Sequence, residues 1–143
     1  MAHKEQIRSD RKEAYLAFID ATDRLAVTLS PVHSLLDGYL HGEEAEPDWD
    51  EALRLLDLAD DELRVLGRIN DRLSLVGSDR VNELAQFIFE LLLLQLVHYC
   101  RLCLERRMEP DWREVTDLIA EGRRSLLDEF KERGGADLRN LPA

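Results

Sequence analysis

The side chains best suited to metal or redox chemistry are Cys100 and Cys103, in the segment HYCRLC. One helical turn separates the two thiols, so they are close enough to share a metal ion. A structural zinc site needs four ligands, however, and the sequence has no second pair of cysteines. Redox-active pairs have a lowered thiol pKa at a helix N-terminus, whereas these cysteines lie deep in an apolar helix. We therefore interpret both cysteines as packing residues and predict no metal or cofactor.

The segment PVHSLLDG is the second candidate, because it combines a histidine, a serine and an aspartate. His33 and Asp37 are four residues apart on one helix side, as a general base and its orienting acid would be. A serine nucleophile also needs an oxyanion hole, and the sequence has no GxSxG motif or Gly-rich loop. Di-iron bundles need glutamate three positions before an inward-facing histidine, but those positions hold Ser30, Gly38 and Gln95. We predict that the protein is not an enzyme.

The sequence EPDW occurs twice, at 46–49 and 109–112, and a glutamate follows each copy after one further residue. Asp-x-x-Glu is an acidic version of the capping box, in which the first side chain accepts a hydrogen bond from an unpaired backbone N–H. The proline before each aspartate opposes helix continuation from upstream. The repeat therefore predicts two helix starts, with Trp49 and Trp112 at the first helical positions and packed into the core.

Apolar residues recur at intervals of three and four residues along most of the chain, which is typical of helices. In the first helix they are Phe18, Leu25, Leu29, Val32 and Leu36, with Thr22 filling one gap. This series crosses Pro31, which predicts either a kink there or a new helix that begins at the proline. In the fourth helix the series is Trp112, Val115, Ile119, Gly122 and Leu126.

The sequence predicts an all-α fold, a four-helix and mostly antiparallel bundle whose long first helix is kinked near Pro31. The expected helices cover residues 4–40, 49–77, 79–107 and 112–133. Gly134-Gly135 is expected to cap the last helix. A chain of 143 residues is the size of one domain, so we assign residues 1–135 to a single helical bundle domain and 136–143 to a C-terminal tail.

Acidic residues outnumber basic ones by 30 to 19, which gives a formal net charge of −11. This sign opposes direct nucleic-acid binding, which depends on neutralising phosphates. Residues 43–62 hold ten of the acids and one base. The acidic residues of the second helix form a candidate surface for a basic partner: Asp57, Asp60, Asp61 and Glu62. One functional hypothesis is therefore a small acidic regulator or inhibitor that binds a basic, nucleic-acid-binding protein.

The third helix has two sets of apolar residues, although a helix at the edge of a bundle normally has one. The main series is Ala85, Phe89, Leu92, Leu96, Tyr99 and Cys103. The second set, on the other side, is Phe87, Leu94, Val97 and Leu104. Either the bent end of the first helix covers this set, or it is a self-association face. The leading hypothesis is a non-enzymatic interaction or adaptor module with a protein partner. Self-association through the third helix would make it a homodimer.

The N-terminus carries charges where a signal peptide needs an apolar core. The most apolar stretch, FIFELLLLQLVHYCRLCL, includes Glu90, Gln95, His98 and Arg101, so we predict that it does not span a membrane. With only two cysteines, a disulfide framework is not expected. These features favour a cytoplasmic protein.

Three segments together resemble a broad group of uncharacterised bacterial all-helical bundle proteins. They are RKEAYLAFIDATDRL, LSLVGSDRVNELAQFI and LLDEFKERGGADLRN. Arg11, Tyr15 and Phe18 match an Arg-x-x-x-Tyr-x-x-Phe opening, and the second segment matches a Gly-Ser-x-x-Val-x-x-x-Ala entry into the third helix. The third departs from an Arg-x-Asp-Leu ending, because Gly134-Gly135-Ala136 separates its arginine from its aspartate. The resemblance implies a helical fold without a known activity.

Overall fold

The computed structural model describes residues 2–40, 48–107 and 111–140, and all four of its regular elements are α-helices. They are α1 (Ala2–Leu40), α2 (Trp49–Val76), α3 (Asp79–Glu105) and α4 (Trp112–Arg139). Each helix packs against the next one in the chain, and α1 also contacts α4. In the described ranges there is no strand. The predicted all-α, four-helix fold is confirmed.

Helix α1 contributes one apolar face to the core, and that face is the one the sequence predicts. Its buried residues include Phe18, Leu25, Leu29, Val32 and Leu36. Thr22, which fills the gap in the series, is also buried, and its hydroxyl donates to the Ile19 carbonyl at 2.7 Å. Pro31 lies inside the continuous helix, so a separate helix beginning at the proline is wrong.

The two tryptophans of the repeated motif occupy the first positions of α2 and α4, as predicted, and both are buried. The two aspartates that precede them differ in their capping hydrogen bonds. Asp48 Oδ1 accepts a hydrogen bond from the Glu51 backbone N–H at 3.0 Å. At the described start of α4, the side chain of Asp111 makes no capping hydrogen bond. The aspartate half of the capping box is therefore confirmed in the first copy only, and there the Glu51 carboxylate binds Arg54. The prolines of both copies lie outside the described residues.

Helix α3 packs its main apolar series against the core, with one exception. Phe89 of that series is only half-buried, whereas its neighbour Ile88, outside the series, is fully buried. The helix ends two residues earlier than predicted. Arg106 has a φ of 51°, in the left-handed region, and its backbone N–H donates to the Leu102 carbonyl. This conformation terminates the helical hydrogen-bond ladder.

Helix α4 continues through Gly134-Gly135, so the predicted cap at this pair is wrong. The predicted tail is also wrong for residues 136–139, which are helical; residues 141–143 lie outside the described part. The physical reason is tertiary: Arg11 and Tyr15 of α1 bind Asp137, which secures the last turn. Glycine is a poor helix former but is tolerated where such contacts support the helix. The buried series of α4 includes Thr116 and not Val115.

By length and composition, an 18-residue window of α3 is apolar enough to span a membrane. The polar residues of α3 therefore do not by themselves exclude a membrane span. Buried core helices pass the same test, and 44% of this window is buried inside the bundle. Length and composition alone consequently do not assign α3 to a membrane.

Candidate interaction surface

The second apolar set of α3 lies on the outside of the bundle. The exposed fractions are 44% for Phe87, 52% for Leu94, 55% for Val97 and 71% for Leu104. The alternative in which the end of the first helix covers these residues is therefore wrong for the described chain. Glu90 and Arg101 are exposed between them on the same helix. We call these six residues the outer stripe of α3.

The spacing of the outer stripe explains why it forms one line along the helix. Its positions are separated by three, four, three, four and three residues, which is the a/d pattern of a coiled coil. The core positions Leu92, Leu96 and Tyr99 follow a similar spacing on the opposite side and are buried. Helix α3 thus has two seams on opposite sides. One is buried in the core of the bundle, and the outer stripe is exposed.

A groove of about 500 Å³ runs beside the outer stripe, between α3 and α2. Val97, Leu104 and Leu93 contribute apolar walls, and Asp60 of α2 lines the other side. Of the four predicted acidic site residues, the groove therefore brings Asp60 beside the apolar residues of the outer stripe.

The four predicted acidic site residues do not form one surface. Asp57 and Asp61 are exposed. Asp60 forms an ion pair with Arg64 at 3.1 Å. Glu62 is half-buried against α1, where its Oε1 accepts a hydrogen bond from the Thr28 hydroxyl at 2.7 Å. The structure thus brings Asp60 to the α2–α3 groove and turns Glu62 toward the α1–α2 contact.

Cys100 lines the same groove and Cys103 is buried in the core, and both are poorly suited to thiolate chemistry. Burial raises the pKa of Cys100, and the charges of Asp60 and Asp57 raise it further. Burial, and then the neighbouring Cys100, raise the pKa of Cys103 to about 11. Both groups are therefore neutral thiols near pH 7, and the thiolate is the nucleophile and metal ligand. No group of three or more metal-ligating side chains occurs within the described ranges.

The histidine and aspartate of PVHSLLDG contact different helices. The Nδ1 atom of His33 lies 3.0 Å from the Tyr99 hydroxyl of α3. Asp37 accepts a hydrogen bond from Arg113 of α4 and forms an ion pair with it. Ser34 is exposed. These contacts connect helices, and His33 belongs to a polar cleft between α1 and α4.

A half-buried polar cluster that the sequence did not predict joins three helices at the end of the bundle opposite to His33 and Asp37. The Tyr15 hydroxyl donates to Asp137, and Arg11 Nη1 lies 3.3 Å from both oxygens of that carboxylate. Arg11 Nε also donates to the Val76 carbonyl at 2.7 Å, and the Ser78 N–H donates to the Tyr15 oxygen at 3.3 Å. These residues lie in three segments that are far apart in the sequence, RKEAYLAFIDATDRL, LSLVGSDRVNELAQFI and LLDEFKERGGADLRN, so spacing within one helix does not reveal the cluster.

Comparisons with known proteins found no similarity that assigns a function. No protein-family model, curated protein or solved structure matches the chain.

Proposed function

We propose that this protein is a non-enzymatic interaction module that self-associates through the outer stripe of α3. The observation that carries the proposal is the exposure of four apolar residues, in one regular seam with Glu90 and Arg101, on a helix whose other face fills the core. Exposed apolar patches of this kind mark protein interaction sites. The proposed occupant is a second copy of this chain.

The residue types of the outer stripe support a second copy as the partner, because the stripe is complementary to itself. Two antiparallel copies of α3 can be related by a two-fold axis that passes midway between Leu94 and Val97. This axis sets Leu94 opposite Val97, Glu90 opposite Arg101 and Phe87 opposite Leu104. In an antiparallel coiled coil, a positions face d positions, and the stripe has this arrangement. Apolar residues meet apolar residues, and each carboxylate meets a guanidinium.

Symmetry repeats each of these pairs, so the seam contains two Glu90–Arg101 pairs. A parallel arrangement would instead set Glu90 beside Glu90 and Arg101 beside Arg101, which like-charge repulsion disfavours. Charged pairs at an interface contribute more to register and partner choice than to net affinity. The affinity comes from Phe87, Leu94, Val97 and Leu104, so we propose that the charged pair sets direction and register.

The seam is short. The outer stripe covers 18 residues, or roughly 27 Å at the rise of an α-helix. Standard stable interfaces bury about 800 Å² on each partner, so Leu93 and the α2 side of the groove would have to join the contact. We expect a dimer that dissociates on dilution.

We further infer that neighbouring helices run antiparallel and that α1 bends near Pro31. Contacts between helix ends support the first inference: Glu13 of α1 pairs with Arg72 near the end of α2, and Thr28 with Glu62. Asp37 near the end of α1 likewise pairs with Arg113 at the start of α4. The chemistry of proline supports the second, because Pro31 cannot donate a backbone hydrogen bond and its ring crowds the preceding turn.

The experiment is light scattering behind size exclusion on the full chain and on Leu94→Glu, over a concentration series. The wild-type chain should reach the dimer mass, and the variant should stay monomeric at every concentration with an unchanged helical circular dichroism spectrum. Leu118→Glu is the matched control, because Leu118 is 70% exposed on α4, outside the stripe. A Leu94→Glu protein that still dimerises contradicts the proposal.

The acidic surface of α2 offers the alternative function, a regulator that binds a basic, nucleic-acid-binding protein. Its support is the exposure of Asp57 and Asp61, with Asp60 at the groove. The negative charge of this surface is smaller than the sequence suggests. Asp60 pairs with Arg64, and Glu62 is turned toward α1. Charge reversal of Asp57 and Asp61 should leave self-association through α3 intact, whereas under the alternative it should abolish capture of a basic protein partner; unchanged capture would contradict the alternative.

A further inference from the structure

A polar cleft separates the middle parts of α1 and α4. These helices meet near one end through Phe18 and Phe130, whose ring centroids are 4.8 Å apart, and near the other through Asp37 and Arg113. Between these contacts lies a pocket of about 360 Å³. Small residues of both helices line it, including Ala26, Ser30 and Ala120, so the space follows from the sequence. Its volume is within the range of small-molecule sites.

Gln95 and Tyr99 of α3 form the floor of the cleft, and hydrogen bonds connect them with His33 of α1. Gln95 Nε2 donates to the Tyr99 hydroxyl at 3.3 Å, and the Tyr99 oxygen lies 3.0 Å from His33 Nδ1. Gln95 is 6% exposed, and its Oε1 has no hydrogen-bond partner among the described residues. A buried polar atom in this state costs free energy until a donor reaches it. A polar ligand that donates a hydrogen bond to Gln95 Oε1 would remove this cost.

Positive charge lines the α4 side of the cleft. Arg123 is half-buried, and Arg124 is exposed beside it. Burial, and then the charge of Arg124, lower the pKa of Arg123. The acidic group in the lining is Asp117, which is exposed, and Asp23 of α1 acts on Arg123 through its charge. The surroundings thus leave the Arg123 cation poorly stabilised, although the chain as a whole is strongly acidic.

We propose that this cleft binds a small organic oxyanion, a carboxylate or a phosphate monoester, held by Arg123 and Arg124. Guanidinium groups form two parallel hydrogen bonds to such anions, and these charge-assisted bonds are the strong ones. The alanines and Leu29 would contact the organic part of the ligand. A hydroxyl on that part would supply a donor for Gln95. The site is independent of self-association, because it uses neither the outer stripe nor the acidic surface.

The test is a titration of the ¹⁵N-labelled full chain, followed by amide and arginine side-chain NMR signals, at constant ionic strength. The probes are benzoate, phenyl phosphate and inorganic phosphate, with phenol as the neutral analogue. At least one of the two aromatic anions should produce saturable shifts at the cleft, including Arg123, whereas phenol should not. A preference for benzoate or phenyl phosphate identifies the acid group. No saturable shift with any anion, or equal binding of phenol, overturns the proposal.

Two variants locate the site. Arg123→Gln should weaken binding at least about tenfold, because it removes the paired guanidinium contact. Arg68→Gln, at an exposed position of α2, is its control and should bind like the wild type. Ser30→Glu adds negative charge at the exposed rim, so it should also abolish binding even if Arg123→Gln does not fold. Ser9→Glu is its control, because Ser9 is exposed near the start of α1 and does not line the cleft. Undiminished binding in either cleft variant overturns the proposal.

Discussion

The Tyr15 hydroxyl of the first helix donates a hydrogen bond to the carboxylate of Asp137 in the last turn of the fourth. Arg11 binds the same carboxylate, and the backbone N–H of Ser78 reaches the Tyr15 oxygen. One phenol thus joins the first helix, the turn between α2 and α3, and the end of α4. The chain beyond Gly134-Gly135 is helical because its last turn belongs to this cluster.

Tyr15→Phe should lower the free energy of unfolding by roughly 1.5–3 kcal/mol, the usual contribution of a hydrogen bond to a charged group. We expect the lower part of this range, because Arg11 continues to bind Asp137 in the variant. Urea unfolding followed by circular dichroism measures the difference. A loss below about 0.5 kcal/mol, the size of an ordinary surface substitution, would show that the cluster contributes little to stability.

The same tyrosine should make stability depend on pH in the alkaline range. Burial, and then the bond to Asp137, raise the pKa of Tyr15 to about 12, above the value near 10 of an unfolded tyrosine. The folded state therefore holds this proton more tightly, and its contribution is complete below pH 10 and is lost as pH rises toward 12. Over that range, unfolding free energy should fall more steeply for the wild type than for Tyr15→Phe. Parallel curves would contradict this assignment.

Two neighbouring glycines of α4 should respond oppositely to alanine. A Cβ at Gly134 would lie 3.2 Å from Cδ2 of Tyr15, whose ring is buried and hydrogen-bonded. Overpacking of this kind costs about 1–3 kcal/mol, which exceeds the 0.5–1 kcal/mol gained from helix propensity. At Gly135 the nearest atom is Arg139 Nη1 at 3.3 Å, at the end of an exposed side chain that can move.

Gly134→Ala should therefore destabilise the protein by roughly 1 kcal/mol, and Gly135→Ala should stabilise it by roughly 0.5–1 kcal/mol. Thermal or urea unfolding of the two single variants provides the comparison. Equal effects of the two substitutions would mean that the Tyr15 ring does not restrict position 134.

The two copies of the EPDW motif should differ in capping energy. Asp48→Ala should cost about 1 kcal/mol, because Asp48 accepts the Glu51 N–H at the start of α2. Asp111→Ala should cost less than half as much, since the Asp111 side chain makes no capping hydrogen bond. Urea unfolding of both variants tests the difference, and a larger loss at Asp111 would reverse our account of the repeat.

Most of the helical framework could be predicted from the sequence, because a 3.6-residue period records which face of a helix is buried. The seam from Phe18 to Leu36 and the entry of both tryptophans into the core follow this rule. The end of α4 does not, because local propensity favours a stop at Gly134-Gly135. A contact between Tyr15 and Asp137, more than a hundred residues apart, overrides it.

The candidate sites were predictable to different degrees. The outer stripe of α3 follows from spacing alone, but whether another helix of the chain covers it depends on packing. The anion cleft was missed because its residues come from three helices: His33 from α1, Gln95 and Tyr99 from α3, and Arg123 from α4. Their convergence depends on how α1 and α4 separate, and residue spacing within one helix does not specify that separation.

The most direct test of self-association through α3 is a charge exchange between Glu90 and Arg101, measured as molar mass over a concentration series. Glu90→Arg and Arg101→Glu should each weaken the dimer, because each single variant sets like charges opposite one another twice across the two-fold axis. The double variant Glu90→Arg/Arg101→Glu restores opposite charges and should recover the dimer. A double variant as monomeric as the singles, or single variants that dimerise like the wild type, would contradict the proposed antiparallel pairing of α3.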